Sequence, residues 1–212
     1  MARILLTSGP TREPIDPVRY LSNASSGRMG CAIAQAALSA GHQVDLVSGP
    51  VQLDPPSGAS EYRVTTALEM LEVCERLHPQ CDVLIGAAAV SDYRPRHRLD
   101  SKRSRDDSRW TIELEPNPDI LATLGGRKGE RVHVGFALES RDRGESEAGI
   151  ERACAKIDRK NLDWCVLNFT TTIGADSGEF FLISSAGDVR ELGDISKADL
   201  AVQLLGVVLP TT

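Results

Sequence analysis

Apolar and polar positions along the chain fall into two rhythms, short strand-like runs and longer stretches of helical spacing, which take turns from one end to the other. Ile4-Leu5-Leu6 predicts a first strand, and the spacing of Met29, Ile33, Ala36, Ala37 and Leu38 predicts the buried face of a helix that Gly41 stops. His42 to Val47 reads as a strand alternating Val44 and Leu46 against Gln43, Asp45 and Val47, so a βαβ unit is the economical reading. Pro50, Pro55, Pro56 and Gly58 mark a loop and Tyr62-Arg63-Val64 a short strand. Thr65 or Thr66 then caps a helix whose inner face is Leu68, Met70, Leu71 and Leu77. Asp82 to Ala89 is nearly continuous in apolar residues, the pattern of a central parallel strand covered on both faces.

The second half repeats the alternation. Trp110 to Leu114 alternates like a strand, and Pro116-Asn117-Pro118-Asp119 turns into a helix over Ile120 to Leu124, with Pro118 at an early helical position. Arg131 to Leu138 predicts a buried strand, Ile150, Ala153, Cys154 and Ile157 a helix, and Leu162 to Leu167 another strand. Glu179 to Ile183 and Asp188 to Leu192, around Ala186-Gly187, predict a hairpin; a last helix follows, capped by Ser196, with Leu200, Ala201, Leu204, Leu205 and Val208 inward. The sum is one α/β domain over residues 1–212: an open, mostly parallel, Rossmann-like sheet with helices on both faces and a C-terminal β-hairpin.

One stretch interrupts the rhythm. Thr7 to Gly30 joins the first strand to the first helix and is far longer than the usual few residues. It carries Gly9, Thr11, Arg12, Asp16, Arg19 and Asn23, and it ends in Ser25-Ser26-Gly27 where helix-starting N–H groups are unpaired, a setting that suits a phosphate. Gly27 and Gly30 match neither the three-glycine dinucleotide fingerprint nor a Gly-Lys-Ser/Thr loop, and a plainer reading gives them only a tight turn and close helix–strand packing. A second cluster follows the central strand: Gly86-Ala87-Ala88-Ala89-Val90-Ser91-Asp92, at the carboxyl end where open α/β sheets bind ligands. Asp92 is either functional there or a cap or salt-bridge partner of Arg94. Arg94, Arg96, His97, Arg98, Lys102, Arg103, Arg105 and Arg109 then form a basic stretch. By composition it is a mobile surface loop; beside a strand end it is also what a triphosphate requires. Lys156 and Lys160 lie one helical turn apart on one face.

A formal net charge of −6 argues against a general nucleic-acid or membrane-surface binder. No apolar run approaches the roughly 20 residues of a membrane span, and the N-terminus has no signal-peptide pattern, so a cytoplasmic protein is expected. The five cysteines, Cys31, Cys74, Cys81, Cys154 and Cys165, are scattered without metal-ligand spacing and read as reduced core thiols.

Several segments together resemble one family. Gly9 to Arg19 with Leu21 to Gly30, then Ala88-Ala89-Val90-Ser91-Asp92-Tyr93, Lys102, Asn117-Pro118-Asp119-Ile120, Gly135-Phe136 and Lys156 to Asp163 are similar, in this order, to phosphopantothenoylcysteine synthetases of coenzyme A biosynthesis. The resemblance implies that a nucleoside triphosphate, CTP in the bacterial branch, with Mg²⁺ activates 4′-phosphopantothenate as an acyl-nucleotide, which L-cysteine then converts to an amide. It implies catalytic roles for Asn23, on the acyl-nucleotide carbonyl, and for Lys102, on a loop closing over the intermediate. It further implies nucleotide contacts from Gly86, Ala87, Ala88, Asp92, Asn117, Pro118, Asp119, Ile120, Phe136, Lys156 and Lys160. Gly9, Thr11, Ser25, Ser26 and Gly27 form the expected substrate-binding loop with Asn23.

The chain departs from the family pattern at Lys102-Arg103-Ser104-Arg105, where many relatives are lysine-rich, and at Asn168-Phe169, where an aspartate usually follows the asparagine. Family members are dimers, which makes Glu179 to Leu192 the expected point of exchange in a homodimer. The chain begins at its first strand without room for the flavin-dependent decarboxylase fused in many bacteria, so the decarboxylase is expected as a separate protein, or this is an excised domain. A non-catalytic nucleotide-binding or regulatory module of the same fold is the alternative. A reductase is disfavoured by the missing fingerprint glycine.

Overall fold

The computed structural model describes residues 1–140 and 146–209; the remainder of the predicted 1–212 domain lies outside the described residues. The chain opens with strand β1 (Arg3–Ser8), the short hairpin β2 (Arg12–Pro14) and β3 (Tyr20–Ser22), helix α1 (Arg28–Ser39), β4 (Gln43–Ser48) and β5 (Ser60–Arg63). Helix α2 (Ala67–Leu77), β6 (Val83–Gly86), the short pair β7 (Tyr93–Pro95) and β8 (Leu114–Pro116), and α3 (Ile120–Gly125) follow. The C-terminal half runs β9 (Val132–Glu139), α4 (Ser146–Lys160), β10 (Trp164–Phe169), β11 (Ser177–Ser184), β12 (Val189–Ser196) and α5 (Lys197–Val208).

Eight strands form one sheet in the order β12-β11-β10-β9-β6-β1-β4-β5. It is parallel from β5 to β10; β11 and β12 close it as the antiparallel hairpin. The two-residue period of a strand sends Ile4 and Leu6 to one face and Leu5 to the other. Ile4 and Leu6 meet α1 through Ile33, Ala34 and Ala37, and the same layer holds Leu200, Leu204 and Val208 of α5. Leu5 and Leu84 meet Met70 and Cys74 of α2 and Leu124 of α3 on the opposite face, where Ala153 and Ile157 of α4 cover β9 to β11. The expected open sheet with helices on both faces is therefore the fold.

Four local readings need correction. Alternation in β4 does not separate inside from outside, because helices cover both faces: Asp45 and Val47 are buried as Val44 and Leu46 are, and Asp45 is held by Arg3 Nε at 2.6 Å. In α2, Leu68 faces solvent and Cys74 takes the inward position. The expected strand over Trp110 to Leu114 has only its last residue in a strand, since β8 pairs with β7 at Leu114–Pro116. Pro118 precedes the Asp119 cap of α3 and so lies outside that helix. Thr66 is the α2 cap; its hydroxyl accepts the Glu69 N–H at 3.2 Å while Glu69 returns a bond to the Thr66 N–H, and losing such a box costs about 1 kcal/mol.

At the amino end of the sheet, away from the loops after β1 and β6, His78 and His133 meet Nε2 to Nε2 at 2.9 Å in a buried edge-on pair. The other ring nitrogen of His133 is buried without a partner. Burial, then His78 and Lys128, push the His133 imidazole down to about 4, against the opposing pull of Asp163. Between its ordinary 6.5 and that value the unfolded chain binds more protons, so this stability is whole above about pH 6.5 and drains as pH falls through the window. The urea midpoint should therefore drop from about pH 7 to about pH 4.5, and drop less in His133→Gln; equal slopes in the two proteins would contradict the assignment.

Candidate active site

The sheet reverses its direction of growth between β1 and β6. From β1 the chain proceeds to β4 and β5 on one side; β6 then returns to the other side of β1 and leads to β9 and β10. Neighbouring strands with opposite onward connections leave a crevice at their carboxyl ends. Thr7 and Gly86 are paired in register there, and both line a cleft of about 550 Å³. That volume suits a small-molecule ligand.

The cleft floor is backbone. The Ala87 N–H donates to the Thr7 carbonyl at 3.2 Å, the Ala88 N–H to Thr7 Oγ1 at 3.3 Å and the Ala89 N–H to the Gly9 carbonyl at 2.8 Å. Thr11 is fully buried, and its hydroxyl accepts the Ser91 N–H at 3.0 Å. Gly9 and Thr11, expected in the substrate-binding loop, thus hold the β6 loop from beneath and do not line the cleft. Gly9 has a φ of 76°, which a side chain rarely adopts.

Among the remaining expected residues, Asn23, Gly86, Ala88, Asp92, Asn117, Pro118, Asp119, Ile120, Phe136, Lys156 and Lys160 line this cleft together. Ser25, Ser26, Gly27 and Ala87 line an adjoining chamber of about 190 Å³, which shares Ala24, Ala88, Ala89 and Phe136 with the cleft. Lys102 lines neither; it is exposed on the loop between β7 and β8.

Their side chains are not equivalent. Asn23 Nδ2 donates to the carbonyls of Ala89 at 3.3 Å and Val90 at 3.0 Å, so its oxygen is the group left without a partner among the described residues. Asn117 is committed at both ends, Nδ2 to the Ser91 carbonyl at 2.8 Å and Oδ1 to Arg94 Nη1 at 3.1 Å, and acts as a brace. Arg94 pairs with Glu115 at 2.7 Å, not with Asp92, whose carboxylate is unpaired among the described residues. Asp119 caps α3 at 3.1 Å from the Ala122 N–H and holds Lys160 Nζ at 2.8 Å. Burial alone would raise its pKa, but Lys160 and the Ala122 N–H keep it below the usual carboxylate value.

Lys156 differs from these. Its ammonium donates to the Phe136 carbonyl at 3.0 Å and has no carboxylate partner among the described residues, and burial lowers its pKa. A half-buried cation without a counter-ion, facing a cleft, is complementary to an anion.

In the smaller chamber, Gly27 is the left-handed N-cap of α1 and supplies no side chain to the first-turn N–H groups. The plainer reading of Gly30 holds: a Cβ there would lie 2.1 Å from Ser8 Oγ. Sequence reasoning missed Lys197, which lines this chamber and donates to the carbonyls of Thr172 and Ala175. A signal existed. Lys197 opens α5, the end where a cation opposes the helix dipole, so another attraction had to hold it. Phe169 is buried edge-on to Phe181 at 6.2 Å between ring centres.

A family model for the DNA/pantothenate metabolism flavoprotein C-terminal domain matches residues 1–211. The chain belongs to this family. It is 40% identical to the coenzyme A biosynthesis bifunctional protein CoaBC of Bacillus subtilis over 208 residues, covering 95% of this chain and 50% of that protein. With the CoaBC protein of Vibrio cholerae the identity is 43% over 176 residues, 81% of this chain and 42% of the relative. A crystal structure of the C-terminal domain of CoaBC matches with a TM-score of 0.83 and 38% identity, covering 98% of this chain and 93% of that one. The chain spans about half the length of the curated relatives it matches. No helix among the described residues is long and apolar enough to cross a membrane.

Gly30→Ala should destabilise the protein by about 1–3 kcal/mol through overpacking against Ser8, read as a lower urea midpoint; an unchanged midpoint would mean that α1 can move off β1 freely.

Proposed function

We propose that this chain is a phosphopantothenate–cysteine ligase of coenzyme A biosynthesis, which activates 4′-phosphopantothenate with CTP and transfers the acyl group to L-cysteine. The observation that carries the reading is the pair of chambers sharing one wall. One holds the uncompensated Lys156 beside Lys160, the other the open N-terminus of α1. Two phosphorylated reactants need two anion sites that meet, and the family membership supports the same assignment.

In the first step a carboxylate oxygen of 4′-phosphopantothenate attacks the α-phosphorus of CTP, and the bond to the β-phosphate breaks as pyrophosphate leaves. Lys156 and Lys160 offset the charge on the triphosphate, and the first-turn N–H groups behind Ser25, Ser26 and Gly27 take the substrate phosphate. In the second step the cysteine amine attacks the acyl carbon; the bond to CMP breaks, and the amine loses a proton. Asn23 lines the larger chamber, holding the Ala89 and Val90 carbonyls in place, and Lys102 approaches from its loop. No group of three His, Cys, Asp or Glu among the described residues forms a metal cage. Mg²⁺ would arrive on the triphosphate and would offset part of its charge there. The working unit is a homodimer exchanging Glu179 to Leu192, tested by mass in solution, and the product passes to a phosphopantothenoylcysteine decarboxylase.

Pyrophosphate release with 4′-phosphopantothenate, comparing CTP with ATP and with or without L-cysteine, tests the reading. Release that requires the acid and turns over only with cysteine supports the ligase. Its absence with both nucleotides would favour a non-catalytic nucleotide-binding module. Asn23→Asp should keep activation while slowing amide formation, and Lys102→Gln should lower turnover; unchanged turnover in either removes that residue from the mechanism. Lys156→Met should raise the KM for nucleotide about tenfold, the loss of one charge-assisted hydrogen bond, and a KM at the wild-type value would clear Lys156 of that contact.

A further inference from the structure

The basic stretch between β7 and β8 has the composition of a solvated loop, yet the fold grips it at several points. Arg96 pairs with Glu113 at its neck at 2.7 Å, and the Leu99 N–H donates to the Ile15 carbonyl at 2.9 Å. Farther out, the turn of the β2–β3 hairpin seizes the peptide groups of Arg103. Arg19 Nη2 donates to the Arg103 carbonyl at 2.9 Å, and Asp16 Oδ2 accepts the Arg103 N–H at 3.4 Å. Trp110 completes the grip: the guanidinium of Arg19 lies 4.6 Å from its ring centre and that of Arg103 5.2 Å.

Asp16 is the keystone of this arrangement. Its side chain is fully buried, Oδ1 accepts the N–H groups of Val18 and Arg19 at 2.8 Å each, and Oδ2 accepts Arg19 Nε at 2.8 Å and Nη2 at 2.5 Å. A hairpin turn at the surface does not need a buried ion pair to close; an exposed Asp would satisfy the same N–H groups. The loop backbone at Arg103 reaches over it, and the Arg19 guanidinium that it holds lies against the ring of Trp110.

The consequence is a link between the two side chains assigned to the acyl-nucleotide. Arg19 leads directly into β3, which ends beside Asn23, and its guanidinium holds the residue that follows Lys102. Asn23 and Lys102 therefore hang from one clamp, although 79 positions separate them in the sequence, as their numbers give. We infer that Asp16 and Trp110 are positioning residues which, acting through Arg19, fix the Lys102 loop relative to Asn23. The kinetic part of this inference rests on the ligase reading; the mechanical part does not.

Trp110→Ala and Trp110→Phe in the full chain test both parts, with Asp16→Asn as a second disruption of the same clamp. The first measurement is the rate of trypsin cleavage after Lys102, Arg103 and Arg105 in ligand-free protein, followed by mass. Trp110→Ala should be cut roughly tenfold faster at these sites, while Trp110→Phe, which still offers a ring face to both guanidinium groups, stays near the wild type. The second is steady-state pyrophosphate release. Trp110→Ala and Asp16→Asn should lower kcat about tenfold and leave the KM for nucleotide within about twofold, a split that general loss of structure does not give. Wild-type cleavage rates in Trp110→Ala would overturn the clamp, and a loosened loop with wild-type kcat would overturn its positioning role. If the wild-type protein releases no pyrophosphate, the ligase reading fails by itself and the cleavage rates alone judge the clamp.

Discussion

The reversal in the direction of sheet growth between the parallel neighbours β1 and β6 is the constraint on which the rest depends. Parallel strands take their hydrogen bonds from neighbours on both sides, but beyond their ends the backbone must find other partners, and here the two ends find each other. Thr7, Gly9 and Thr11 satisfy successive groups of the Ala87 to Ser91 segment, so the cleft floor is tied to the chain that leaves β1. Small side chains then leave the floor uncovered. Gly86 serves a different end: a Cβ there would press on Leu121 at 2.7 Å, so the glycine seats α3 against the sheet.

Charge in this acidic protein is arranged locally. Arg94, Arg96, Arg127 and Arg152 are each matched by a glutamate on the surface, pairs worth little to stability because solvent screens them. Lys156 has been given no such match among the described residues. The global excess of acid therefore does not decide what the cleft attracts, since Lys156 brings to its wall a positive charge that no carboxylate among the described residues neutralises.

The fold was legible in the sequence because burial on both faces leaves apolar runs such as Val83 to Ile85, and because Thr66, Asp119 and Ser196 announce helix starts with side chains that accept N–H groups. The ligand end was legible where position alone decides, at the residues after β6 and on the last turn of α4. What stayed hidden depended on contacts between distant segments. Composition describes the stretch from Arg96 to Arg109 correctly as polar and basic, but Trp110 and the buried Asp16 that capture it lie in other parts of the pattern. The strand expected over Trp110 to Leu114 failed for a related reason: Trp110 serves two guanidinium groups, and pairing with β7 begins only at Leu114. Asn23 was found by resemblance, yet the direction of its amide is set by the Ala89 and Val90 carbonyls, which periodicity does not report.

The hairpin that ends the sheet carries a further consequence. Opposite Phe180 and Phe181, β12 contributes Gly193 and Glu191, leaving Leu192 as an extra residue that kinks the strand, and Gly193 sits at a φ of 69°. Arg190, Glu191 and Asp194 add charge along the same edge. An outer strand bent and charged in this way is a poor template for another strand. The sheet therefore tends to stop at β12, because the open hydrogen-bonding row that a further strand would need is interrupted at Leu192, midway along it.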